Sequence, residues 1–198
     1  MGQGVLLDKP VKTRPEKLVQ LLWESLKTQP ADRLREYARA CLPSASEEMI
    51  HSEVFFLHKF LLVQACACDF EEDVARRVAS AFYNALDADL LQRMGKDTLK
   101  KYEEIWLVRA NEYQEPFYSD YAKFLERQTI FPWKGITSTF TRHFTQTSHT
   151  WEELIEWSKA RNEGKADIIK ANLAVSTVFG MFMEVSTEII LENSGQNL

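Results

Sequence analysis

The chain has 198 residues, 45% of them hydrophobic and 27% charged, with a formal net charge of −5. That length suits one domain with a substantial core, and only seven glycines and six prolines among long runs of helix formers point to an all-α protein. Residues 1–69 carry nine positive and nine negative side chains, residues 70–128 nine and twelve, and residues 129–198 six and eight, so no segment has the basic excess that a nucleic-acid binder shows.

In chain order, residues 1–12 read as a flexible segment with no basic region leading into a long apolar core, hence no signal peptide. Gly2 does not open a myristoylation motif, because position 6 is Leu6. Thr13-Arg14-Pro15-Glu16 is a capping box with proline in the first turn, and starts a helix over 14–28. A second, over 30–42, places Leu34, Tyr37, Ala38 and Cys41 on one stripe. Ser44-x-x-Glu47 opens a third over 46–67, where Ile50, Val54, Leu57 and Leu61 keep helical spacing and Phe55, Phe56, Phe60 and Leu62 widen the apolar face. Asp69-x-x-Glu72 opens a fourth over 70–94, closed by Gly95. Next come helices over 97–114 and 117–129, which are either separate or one helix kinked at Pro116.

Residues 131–149 break the pattern. Thr139, Thr141, His143, Thr145 and Thr147 alternate with Phe140, Arg142 and Phe144, a period of two with no partner strand, so an irregular loop with a short helical turn is expected. Thr150-x-x-Glu153 opens a helix over 150–162, and the last helix covers 165–192. The last contains Leu173 to Met183 without a charge, so it is either the centre of the domain or half of a subunit interface. Its uncharged span between Lys170 and Glu184 is 13 residues, short of the roughly 20 that a membrane crossing needs. Ser176 and Gly180 form a small-residue patch that suggests close approach by another helix. The expected fold is a single all-α bundle of seven to eight helices over 13–193, with the helices near 46–67 and 165–192 central and a tail at 194–198. The three cysteines, Cys41, Cys66 and Cys68, fit reduced, buried thiols in a cytoplasmic protein better than a disulfide framework.

Three groups could carry chemistry. Glu47, His51 and His58 stand at i, i+4 and i+11 on the third helix, and Glu48-x-x-His51 resembles the Glu-x-x-His element of di-metal bundles. No second Glu-x-x-His exists in the chain to complete such a centre. Around Pro116, the residues Glu112, Tyr113, Glu115, Tyr118 and Tyr121 could line a ligand pocket opened by a kink. In the 131–149 region, Trp133 and Phe140 interleave with Lys134, Arg142, His143 and His149, an arrangement suited to a lid or a binding surface.

Gly-x-Ser-x-Gly, His-Glu-x-x-His, phosphate-loop and dinucleotide motifs are all absent from the sequence. The expectation is therefore a non-catalytic module that binds a protein partner or itself through helix faces and the aromatic loop. The alternative is a small-molecule or metal site inside the bundle, built from Glu, His and Tyr side chains.

Overall fold

The computed structural model describes residues 15–126, 132–147, 149–161 and 164–194, with side chains through Ile189. The described residues form eight helices and no strand: α1 (Pro15–Ser25), α2 (Gln29–Cys41), α3 (Glu47–Asp69), α4 (Glu72–Met94), α5 (Lys96–Leu125), α6 (Lys134–Thr145), α7 (Trp151–Ala160) and α8 (Ile168–Ser194). The all-α bundle expected from composition is thus the fold observed.

α3 is the axis. It lies along α8 and also touches α1, α2, α4, α5 and α6. Residues from Ile50 to Cys66 are buried on several sides of it, including Glu53, His58 and Lys59. α8 is the second central helix, packed on α3, α2, α6 and α7. Its buried stripe runs through Ala171, Ala174, Val175, Val178, Phe179, Phe182 and Ile189. The opposite stripe, Lys170, Leu173, Thr177, Gly180 and Glu184, faces solvent. α8 is therefore less enclosed than its composition implied, and α3 is the more buried of the two. Ile168–Ile189 has the length and mean hydropathy (1.4) of a membrane span, but its inner face is already occupied by core neighbours. Among the described residues nothing approaches within 4 Å of a Cβ built on Gly180, so none of their helices packs closely there.

Several boundaries differ from the sequence reading. Thr13 and Arg14 lie outside the described residues. α3 is capped by Ser46, whose hydroxyl accepts from the Met49 N–H at 3.1 Å, rather than by Ser44. Asp69 ends α3 instead of capping α4. The Thr150–Glu153 capping box forms as expected, with bonds of 3.2 and 2.8 Å. Gly95, at φ 80°, ends α4 and starts α5 in a backbone conformation that a side chain would strain. α5 is one helix that continues through Pro116.

The main correction concerns residues 131–149. Lys134–Thr145 is a 12-residue helix, not an irregular loop. The threonines misled because their polarity and β-branching disfavour a helix. In α6, three threonine hydroxyls are satisfied by a carbonyl one turn back, and that of buried Thr139 accepts from Arg142 Nη2 at 3.3 Å. Thr137 Oγ1 donates to Trp133 O at 2.7 Å, Thr141 Oγ1 to Thr137 O at 2.8 Å, and Thr145 Oγ1 to Thr141 O at 3.3 Å. With hydroxyls paired inside the helix, Ile136, Thr137, Phe140, Thr141 and Phe144 form one buried helical stripe.

Candidate functional site

The Glu47/His51/His58 group does not converge. Glu47 is held by Arg39, whose Nε and Nη2 donate to it at 2.8 and 2.6 Å. His51 is exposed and bonds the Glu47 carbonyl oxygen through Nδ1 at 2.7 Å. His58 stands two turns further on, about 10 Å along the axis, and is fully buried. Its Nδ1 lies 3.1 Å from Ser25 Oγ, and that hydroxyl already donates to Leu22 O at 2.8 Å. The imidazole must therefore donate through Nδ1, which leaves Nε2 as a bare acceptor with no partner. Burial drives the His58 pKa down to about 3, with a smaller push from Arg35. Among the described residues, no group of three or more His, Cys, Asp or Glu side chains is placed to hold a metal ion.

The residues around Pro116 divide between two sides of α5. Tyr113 faces inward, fully buried, with its ring on Phe60 and its hydroxyl 3.4 Å from His143 Nδ1. It belongs to a network that the sequence does not announce, at the junction of α3, α5 and α6. Arg109 Nε donates to Glu53 Oε1 and Oε2 at 3.0 and 2.8 Å, and Nη1 to Glu112 Oε2 at 3.0 Å. His143 Nδ1 lies 2.9 Å from Glu53 Oε2, and its Nε2 lies 2.9 Å from Glu112 Oε2. Burial pushes the Glu53 carboxyl up, but the bonds from His143 and Arg109 outweigh it and hold the group below the usual carboxylate value. The network ties α3, α5 and α6 together, with Glu53 and His143 nearly out of solvent and Glu112 at its exposed edge.

Asp120 also faces inward. It accepts from the Ile136 N–H at 3.0 Å, capping the start of α6 from across the interface. Burial raises its pKa to about 6, against the pull of the Ile136 and Gly135 backbone groups. Gly135 fits this close approach, since a Cβ there would stand 3.1 Å from both Pro116 Cβ and Asp120 Oδ2.

Trp133 and Phe140 are core residues and form no lid. Trp133 is 1% exposed and packs on Phe117, Phe124 and Phe179, with ring centroids 5.6, 5.8 and 4.6 Å away. Phe140 is fully buried against Phe144. Tyr121 is half-buried and stacked on Phe117. A second unannounced group is Lys59, buried on α3 with its ammonium 4.3 Å from the Trp106 ring and 4.9 Å from Tyr83. Burial brings its pKa down to about 8.

Glu115 and Tyr118 face the other way. With Asn111, Gln114 and Ser119 they line a shallow depression of about 640 Å³ on the outer side of α5. Around it, Leu107 and Leu125 are each 62% exposed, Tyr118 55% and Val108 53%. α5 buries only Trp106, Tyr113, Phe117 and Asp120 over its 30 residues. Leu107, Asn111, Gln114, Tyr118, Ala122 and Leu125 follow i, i+4, i+7, i+11, i+15 and i+18, one helical stripe with no charged side chain.

Comparison with protein-family models, with curated proteins and with solved structures gives no match for this chain.

Proposed function

We propose that this protein is a non-catalytic interaction module, and that the outer face of α5 is where it docks a helix of another chain. The observation that carries this reading is the uncharged, solvent-exposed stripe from Leu107 to Leu125 on a helix with half of its circumference unpacked. Exposed apolar side chains occur singly on any surface, but Leu107, Tyr118 and Leu125 on one uncharged helix stripe, with Asn111 and Gln114 between them, fit an interaction site. The absence of catalytic motifs and the three free thiols fit a binding protein in a reducing, cytoplasmic setting.

The partner that the face fits on its own chemistry is a second copy of this chain. A two-fold axis between Asn111 and Gln114 sets two α5 helices antiparallel, Leu107 of one opposite Tyr118 of the other and Asn111 opposite Gln114. The same register puts Lys100 opposite Leu125 of the second copy, one residue from Glu126 and within reach of its carboxylate, and the axis repeats that arrangement at the other end. Glu104 then meets Tyr121 and Glu115 meets Ala110, so no like charges are opposed.

The test is sedimentation velocity over a concentration series. Wild type should associate, and Leu107→Glu with Tyr118→Glu should be monomeric with unchanged helicity. Lys100→Glu should weaken association, and adding Glu126→Lys should restore it. A wild-type monomer at high concentration, or association indifferent to these changes, refutes the reading.

A further inference from the structure

α2 and the start of α8 enclose a cleft of about 1040 Å³ lined by Arg33, Glu36, Tyr37, Arg39, Ala40, Pro43, Gly164, Lys165, Asp167 and Lys170. Four cationic side chains stand against two carboxylates, on a chain whose net charge is −5. The cations come from stretches more than 120 residues apart, Arg33 and Arg39 from α2 and Lys165 and Lys170 from the entry to α8.

Their existing partners set what remains. Arg39 is bound at both ends of its fork by Glu47, at 2.8 and 2.6 Å. Asp167 is taken up by the first turn of α8, its Oδ1 accepting from the Ile169 and Lys170 N–H groups at 3.0 and 3.3 Å. The helix terminus is thus capped by the chain itself and is not the site. Lys170 lies 3.5 Å from Asp167, as an exposed and loose pair. Among the described residues, Arg33 and Lys165 have no ion pair. Glu36, three residues from Arg33 on α2, is likewise without an ion pair among the described residues, so the lining keeps an excess of cations, Arg33 and Lys165 from separate walls with Lys170, that an anion carrying at least two charges would offset. The floor is Tyr37, Ala40 and Pro43. The Tyr37 hydroxyl is turned away to Thr141 Oγ1 at 2.7 Å, so the floor offers mainly apolar surface.

We propose that this cleft binds a phosphate-bearing small molecule, with Arg33 and Lys165 as its principal contacts and Lys170 as a third. The guanidinium fork of Arg33 matches two phosphate oxygens, and the lysines act as point charges. The site is separate from the outer face of α5 and does not depend on that reading.

The experiment is calorimetric titration of the full chain with inorganic pyrophosphate at low and at physiological salt. Saturable binding that weakens as salt rises is expected. Arg33→Ala with Lys165→Ala should lower the affinity at least about tenfold, the scale of losing charge-assisted contacts. Both side chains are exposed, so the melting temperature should not move. Arg76→Ala with Lys159→Ala, cations outside the cleft, should bind as wild type. No saturable binding at millimolar pyrophosphate overturns the proposal, as does equal loss in both double variants or none in the first.

Discussion

The Nδ1 of His143 on α6 lies 2.9 Å from Oε2 of Glu53 on α3, which joins two buried polar groups across the contact between these helices. Only 6% of the Glu53 side chain and 5% of His143 remain in contact with solvent. Removing one member of such a pair leaves an uncompensated buried charge, at a cost of about 3 kcal/mol or more. Arg109→Ala is therefore expected to destabilise the fold by about that amount, and His143→Ala by less because Arg109 still binds Glu53, both measured by urea unfolding. The folded pKa of Glu53 is depressed, so its contribution is present above the unfolded value near 4.5 and is lost as pH falls through the folded one. Glu53→Gln should show a lower unfolding free energy at neutral pH and a shallower decline on acidification. An unchanged midpoint in all three variants would remove the network from the account of stability.

His58 gives a second pH dependence with the same sign by a different route. Between its unfolded value of 6.5 and its folded value of about 3, the unfolded chain binds a proton that the folded chain refuses. Stability then falls with decreasing pH through that window, by up to about 1.4 kcal/mol per pH unit. His58→Leu removes the titration and the unpartnered Nε2, while Ser25 keeps its bond to Leu22 O. The variant should be at least as stable as wild type at neutral pH and clearly more stable at pH 5. A variant that is less stable at both would show that the ring does more than fill space.

Two glycines should respond in opposite directions to the same substitution. At Gly135 a Cβ meets Pro116 Cβ and Asp120 Oδ2 at 3.1 Å, and neither is free to yield, one being ring-bound and the other holding the Ile136 N–H. Gly135→Ala should cost about 1–2 kcal/mol. Gly180 is mid-helix, exposed and without neighbours, so Gly180→Ala should stabilise by up to about 1 kcal/mol. Denaturation midpoints of the two variants check both signs, and equal shifts would contradict them.

The all-α class, the central pair of helices and the Thr150 capping box are legible in the sequence because apolar period and cap chemistry are local properties, whereas the count of eight agrees only because one helix read as two offsets the unread α6. α6 is not legible, because what permits it is a set of threonine-to-carbonyl bonds that exist only once the helix has formed. Its aromatic residues were misplaced with it, since Trp133 reads as a surface anchor until Phe179 and Phe117 surround it. The Glu53–Arg109–His143 network spans 90 positions, and no spacing rule relates them. The basic cleft was hidden for the same reason, as Arg33 and Lys165 sit in segments that are each electrically neutral or acidic. The sequence around Pro116 suggests a pocket at a kink lined by Tyr118 and Glu115. They do border a depression, on the solvent side of a helix that continues through Pro116.

The most direct check on the central claim is the charge exchange at the ends of α5, read by sedimentation velocity. The account predicts that wild type associates, that Lys100→Glu shifts the distribution toward monomer, and that Glu126→Lys on the same chain brings the dimer back. A wild type that stays monomeric, or a dimer that both single and double variants leave intact, would contradict the assignment of this face.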